Sequence, residues 1–242
     1  MSETLKATCK GKSENIECRR PSWESVRLSY ATINNEYENG RAEAVFKKIG
    51  GEPYREFVNN EKIIAAQNEQ MQQGIQITPD NRHYTLNSCA LRVSYALNYS
   101  KLLGESFLLK NKKLPDNTGK SKYENKQWYG SDGNLYYLSV YGIRNFLTLN
   151  WGNSDKPYHL RTFNNRDEVR KFYDNEFSKF GKSGIVVMRI KGFVDATGGH
   201  TTLWNGEYKH FEDFKISENY LIGNHNVVDF QFWELKSKKD NK

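Results

Sequence analysis

The sequence predicts an α+β protein, with helices first and an antiparallel sheet at the C-terminal end. Two observations carry this reading. Apolar residues recur at helical spacing in several segments between Trp23 and Phe177. After Gly184 the pattern changes to short β-rich runs separated by turn residues.

Each element follows from local pattern. Pro21 to Asn34 reads as a first helix, because Pro is tolerated at a helix start and Trp23, Val26, Tyr30 and Ile33 form one stripe. Residues 41–49 read as a short basic helix stopped by Gly50 and Gly51, and residues 54–73 as a polar, weakly amphipathic one. Ile75–Asn87 reads as irregular or extended. Cys89–Asn98 is the densest apolar run of the first half and is expected in the core. Leu109–Gly133 is rich in Lys, Asn and Gly and reads as a surface linker. Leu138–Leu149 reads as a helix. In the next helix Asn165 and Glu168 form a capping-box pattern, and Gly181 and Gly184 end it. Gly184–Lys191, residues 200–206 and Val227–Leu235 read as three strands.

Composition excludes several classes. At 242 residues the chain is long enough to bury a core without disulfide staples. Its 14% aromatic content argues against disorder, and no apolar run approaches the ~18 residues of a membrane span. The net charge of +7 favours polyanions in general, and solubility alone explains it equally well. A nucleic-acid partner is not expected: Tyr136, Tyr137 and the Lys110–Lys113 cluster imitate such a surface only faintly, and the later aromatics fit sheet packing. The division expected is a polar tail over 1–19, one domain over 20–236 and a basic tail over 237–242. Met1–Cys18 has no apolar core of a secretion signal. Cys9 and Cys18 read as surface thiols that pair only in an oxidising space.

The chemistry converges on two residues. Cys89 opens a helix, where unpaired N–H groups and the positive dipole end favour a thiolate. His200 opens a strand directly after Gly198 and Gly199, which leave room for close approach. A cysteine nucleophile needs a base within hydrogen-bond reach, and a helix and a facing strand can supply the two. A carboxylate should orient the imidazole; Asp195, Glu212, Asp213 and Asp229 are near in sequence, and Asp213 follows the His200 strand through a short turn. His210 and His225 are weaker bases, and His83 and His159 have no patterned companions. No metalloprotease, Walker or dinucleotide motif occurs, so no cofactor and no metal are expected.

These residues also carry a likeness. Residues 87–98 (NSCALRVSYALN) and 199–206 (GHTTLWNG), with Arg20–Trp23, Ile49–Gly51, Tyr141–Leu149, Lys182–Arg189 and Phe232–Leu235, resemble the fourth family of type VI secretion amidase effectors. The resemblance implies a papain-like fold of the NlpC/P60 kind. It carries Cys89 over as nucleophile, with its backbone N–H serving the oxyanion, and His200 as general base and acid. It implies cleavage of the amide between D-glutamate and meso-diaminopimelate in peptidoglycan stem peptides. It further implies export by the secretion apparatus from the producer cytoplasm into the target-cell periplasm, and a cognate immunity protein as partner. Two features depart from the family. Its aspartate position falls on Phe211 here, which leaves Asp213, or Glu212 next to it, as the third member. Residues 52–80 and 110–130 look like insertions. Two other functions fit the same residues: a non-catalytic basic module gripping wall or nucleic-acid polyanions, and a cysteine protease or acyltransferase acting on proteins.

Overall fold

A computed structural model describes residues 3–9, 12–18, 20–78, 81–100, 123–191, 198–213 and 219–237. Its architecture is α+β, with the helices leading and the sheet closing the chain. The N-terminal segment, read as a polar tail, contains an antiparallel hairpin of β1 (Glu3–Cys9) and β2 (Lys12–Cys18). Its register sets Cys9 opposite Lys12 and Cys18 opposite Glu3. The two cysteines therefore stand at opposite ends of the ribbon, roughly 20 Å apart at the ~3.4 Å rise of a strand.

The two helices expected over 21–49 are one, α1 (Trp23–Ile49). Sequence reading broke it at the polar stretch 35–40, which offers no apolar stripe. The helix runs on through it, with a local irregularity at Arg41, whose φ is +61°. Val45, Phe46 and Ile49 then continue the buried face begun by Trp23, Val26, Tyr30 and Ile33. Next comes α2 (Gly51–Gln72), which accounts for most of the stretch read as the first insertion and stacks Phe57 on Phe46. The second stretch, 110–130, lies outside the described residues up to 122. Beyond it the supposed linker ends in a small hairpin of β3 (Gln127–Tyr129) and β4 (Leu135–Tyr137).

Between them, α3 (Cys89–Tyr99) is buried on every side from Cys89 to Asn98, as expected of the densest apolar run, and takes the polar Arg92, Ser94 and Asn98 inside with it. It is followed by α4 (Val140–Trp151), where the Ser139 side chain accepts the Gly142 N–H as an N-cap. A two-residue strand, β5 (Arg161–Thr162), precedes α5 (Arg166–Asn175). The capping box of α5 is present: Asn165 accepts the Glu168 N–H, and Glu168 accepts the Asn164 N–H. The helix stops before the glycines expected to end it. A 3-10 turn over Phe177–Lys179 intervenes, and Gly184 instead opens the sheet.

The sheet is wholly antiparallel and runs β5-β9-β6-β7-β8. Its strands are β6 (Gly184–Lys191), β7 (Gly199–Asn205), β8 (His210–Phe211) and β9 (Asn226–Glu234). Both faces are covered, so its strands read as continuous apolar runs and alternate only in which layer they enter. Ile185, Val187, Leu203 and Trp233 pack on α1, α3 and α4. Val186, Met188, Trp204, Phe230 and Phe232 face a second, aromatic layer with α5. No described helix is long and apolar enough to cross a membrane.

Phe177 is the centre of that aromatic layer. It is fully buried, with ring centroids 4.5 Å from Trp204, 4.6 Å from Phe230 and 5.7 Å from Phe172. Phe177→Ala is expected to destabilise the fold by about 3–5 kcal/mol in urea denaturation, the usual cost of emptying such a position.

Candidate active site

Three chain segments meet at one point. Cys89 is the first residue of α3 and is fully buried. Its Sγ lies 4.0 Å from the Gly199 carbonyl oxygen, so the helix start abuts the start of β7. The backbone N–H of Cys89 differs from expectation. It donates to Asn87 Oδ1 at 3.0 Å, a local Asx-type turn, and is not open to an oxyanion in this conformation.

The approach of β7 depends on two glycines. Gly198 has φ +73°, and a Cβ there would fall 2.0 Å from the Tyr141 ring. A Cβ on Gly199 would fall 2.0 Å from the Met188 carbonyl oxygen. Any side chain at either position pushes the strand off its neighbours and carries His200 with it. His200 pairs in register with Met188 and is 2% exposed. Its ring stacks on Tyr220, centroids 4.2 Å apart.

The imidazole has one nitrogen engaged. Nε2 lies 2.8 Å from Asp213 Oδ2, and Nδ1 is buried with no hydrogen bond. Burial pulls the His200 pKa down, but the Asp213 charge and hydrogen bond, and then the Cys89 thiol, outweigh it and lift the value to about 9. The thiol meets the backbone one residue before the ring, at the Gly199 carbonyl. With Nε2 taken by Asp213, Nδ1 is the nitrogen left without a partner.

Asp213, just past β8, is the carboxylate that reaches His200. Its Oδ1 accepts Tyr30 Oη at 3.0 Å and is 3.3 Å from Arg92 Nη1. Tyr30 Oη also lies 3.2 Å from Thr202 Oγ1. Burial raises the Asp213 pKa, yet the charge and hydrogen bond of His200, then the Arg92 charge, hold it down at about 2. Arg92 is itself buried, donates to Asn34 Oδ1 at 2.7 Å and lies 4.5 Å from the Tyr37 ring centroid. Sequence reading missed this support. Its signal was a lone arginine inside the densest apolar run of the first half, one turn past Cys89.

The other candidates lie elsewhere. Glu212 is turned to Arg27 and Asn205, each at 2.7 Å. Asp229 pairs with Arg189 at 2.7 Å, and Asp195 lies outside the described residues. His210 is 3.7 Å from Glu212. His83 lies 3.0 Å from Asn60 Oδ1 and His159 3.1 Å from the Ser154 carbonyl oxygen, both away from Cys89. The expected family aspartate position, Phe211, is a sheet residue buried in the aromatic layer, opposite Trp204. The turn of residues 206–209 and the two-residue β8 carry the chain past it, so the carboxylate arrives two positions later. Among the described residues no three His, Cys, Asp or Glu side chains converge as metal ligands do. The structure shows a buried thiol at a helix start packed on the Gly199 carbonyl, and the neighbouring His200 held by a buried carboxylate; residues of these types suit acyl transfer.

Comparison with known proteins points the same way. The family profile described as "Type VI secretion system (T6SS), amidase effector protein 4" (Tae4) matches residues 85–233, well over half of the chain. Among solved structures, the type VI effector–immunity complex Tae4–Tai4 from Enterobacter cloacae is 25% identical, with a TM-score of 0.50, over 90% of this chain and 99% of that one. The Tae4–Tai4 complex from Salmonella Typhimurium is 21% identical, with a TM-score of 0.50, over 89% of this chain and 99% of that one. The latter likeness shows the fold alone. A search of curated proteins returned no match.

The buried pair sets a pH dependence. His200 is held above its ordinary value, so its contribution to stability is whole below about pH 6.5 and is lost as pH rises through about 9. Asp213 is held below its ordinary value, so its contribution is whole above about pH 4 and is lost as pH falls through about 2. Denaturant titrations are expected to show this pair contributing fully only between those limits. In Asp213→Asn, burial of the imidazole is no longer opposed by a carboxylate. Its pKa, followed by NMR, is expected well below the wild-type value, and an unmoved imidazole would contradict the assignment.

Proposed function

The chain belongs to the Tae4 family of type VI secretion amidase effectors, and on that premise we propose that it hydrolyses the D-glutamate–meso-diaminopimelate amide of peptidoglycan stem peptides. The observation that carries the reading is the buried Asp213–His200 pair beside the Cys89 thiol at the start of α3. In this reading His200, charged at neutral pH, already carries on Nδ1 the proton given up by the Cys89 thiol, and the sulfur attacks the stem-peptide carbonyl. The negative charge that develops on the carbonyl oxygen lies at the N-terminus of α3, where the helix dipole favours it. If the Cys89 N–H serves that oxygen, the Asn87 side chain must first release it. His200 then protonates the amine of diaminopimelate as the C–N bond breaks. It next takes a proton from water, whose oxygen clears the thioester and restores the thiol. Asp213 fixes the ring and stabilises its charged form throughout, and Arg92 and Tyr30 fix Asp213.

The same family membership supports the biological setting we propose. The product of this chain is an antibacterial toxin, made in the producer cytoplasm and carried by a component of the secretion apparatus into the periplasm of a target cell. The Tae4 structures solved with Tai4 support a cognate immunity protein as its partner. The stem peptide is acidic, and a chain of net charge +7 suits it.

Digestion of purified Gram-negative peptidoglycan, read by chromatography and mass spectrometry, tests the assignment. Cys89→Ala and His200→Ala are expected to lower turnover by about 10³-fold or more, and Asp213→Ala by about 10²-fold. Glu212→Ala is expected to remain within a few-fold of wild type, because its carboxylate faces Arg27 and Asn205. Full activity in Cys89→Ala, or equal losses from Glu212→Ala and Asp213→Ala, would sink the reading.

A further inference from the structure

A second feature lies one step from His200. Beyond the outer end of β6 a cleft of about 660 Å³ opens between the start of α5 and residues 221–228. Arg166, Arg170, Lys191 and His225 line it, and Asp167 is the one acid among its described walls. The three cations are exposed. Arg166 and Arg170 stand four residues apart, on one face of α5. Lys191 joins them from the last position of β6. Their existing ties are slight. Arg166 donates to the neutral Asn224 Oδ1 at 2.5 Å, and Arg170 is 3.7 Å from the exposed Asp174. Lys191 has no ion pair among the described residues. Three cations against one acid make the cleft electropositive, and concave walls focus that field.

The cleft is joined to the site by a run of rings. His200 stacks on Tyr220 at 4.2 Å, and Tyr220 meets His225, a wall of the cleft, in a tilted contact at 4.5 Å. Two or three residues of extended peptide, at ~3.4 Å each, span those two steps. A peptide with its scissile amide at Cys89 and His200 therefore reaches the His225 wall of the cleft with a group a few bonds away. Arginine's planar fork pairs with carboxylates in particular.

We propose that this cleft is a carboxylate subsite of the same centre, which takes an acidic group of the peptide being cut. The proposal rests on the amidase reading above and goes beyond it, since it assigns recognition to Arg166, Arg170 and Lys191, which take no part in the bond-breaking step. The positive charge at these positions selects peptides whose carboxylates are free over those whose carboxylates are masked as amides.

The test is a binding titration of the full chain carrying Cys89→Ala, which prevents turnover. The probes are a purified disaccharide–tetrapeptide muropeptide and the same compound with its carboxylates converted to methylamides. The free acid is expected to bind about tenfold tighter, in line with two or three solvent-exposed charge contacts. Adding Arg170→Gln and Lys191→Gln is expected to bring the two probes within about twofold of each other, with the thermal unfolding midpoint unchanged because both side chains are exposed. Equal binding of the two probes, binding of neither, or an undiminished preference in the substituted chain overturns the subsite. Cleavage by the chain that keeps Cys89 is followed in parallel. Carboxylate-dependent binding without cleavage keeps the subsite and removes the amidase reading; cleavage without carboxylate preference does the reverse.

Discussion

Three buried ionisable groups hold this structure to one arrangement. His200, Asp213 and Arg92 are each almost fully removed from water, and none is tolerable there alone. Asp213 resolves the conflict by facing both cations, with Oδ2 on His200 and Oδ1 toward Arg92 and Tyr30. The three groups come from β7, the segment after β8, and α3, while Tyr30 comes from α1. A shift of any one element leaves a charge uncompensated in the interior. Breaking a buried pair of this kind by removing one partner typically costs about 3–5 kcal/mol. The helical layer and the sheet are therefore locked together at the place where the proposed chemistry occurs.

That lock explains why so much of the surrounding structure is inflexible by composition. Gly198 and Gly199 let β7 press against Tyr141 and Met188, and this brings Gly199 to the Cys89 sulfur. The aromatic layer on the far side of the sheet stiffens the same strand, since Trp204 of β7 packs against Phe177 and Phe211. Phe211 in turn sits two residues before Asp213. Close packing here transmits position: the carboxylate is placed by a phenylalanine two residues upstream as much as by its own hydrogen bonds.

The sequence made the fold class legible because the change of period near Gly184 is sharp and the α3 segment is unusually apolar. Boundaries that depend on long-range contacts were not legible. The merged helix α1 carries a polar stretch whose helicity its own pattern does not announce, and β3, β5 and β8 are too short for any period to show. Of the site, Cys89 and His200 stood out through their settings, a helix start and a double glycine. The third member stayed open between Glu212 and Asp213 because sequence spacing does not tell which of two adjacent carboxylates points inward. Arg27 and Asn205 draw Glu212 away, and both contacts span residues that no local pattern connects. The Asn87 contact to the Cys89 N–H was missed for a different reason. The helix-start argument counts orphan N–H groups and overlooks a neighbouring amide two residues back that satisfies one of them.

The basic balance of the chain divides into parts with different physical roles. Arg92 lies in the interior, where its charge acts on Asp213 and, through it, on His200. The same sign of charge at Arg166, Arg170 and Lys191 is exposed and faces one acid. Net charge alone could not separate these cases, since it counts a buried guanidinium and an exposed one equally. Location separates them. An interior cation needs an internal partner and so tunes the chemistry of its neighbours, whereas an exposed cation in a concave wall keeps its attraction for a partner from outside. One kind lies behind the His200 carboxylate and the other lines a cleft past the Tyr220 and His225 rings, so His200 stands between the internal electrostatics and the proposed recognition surface.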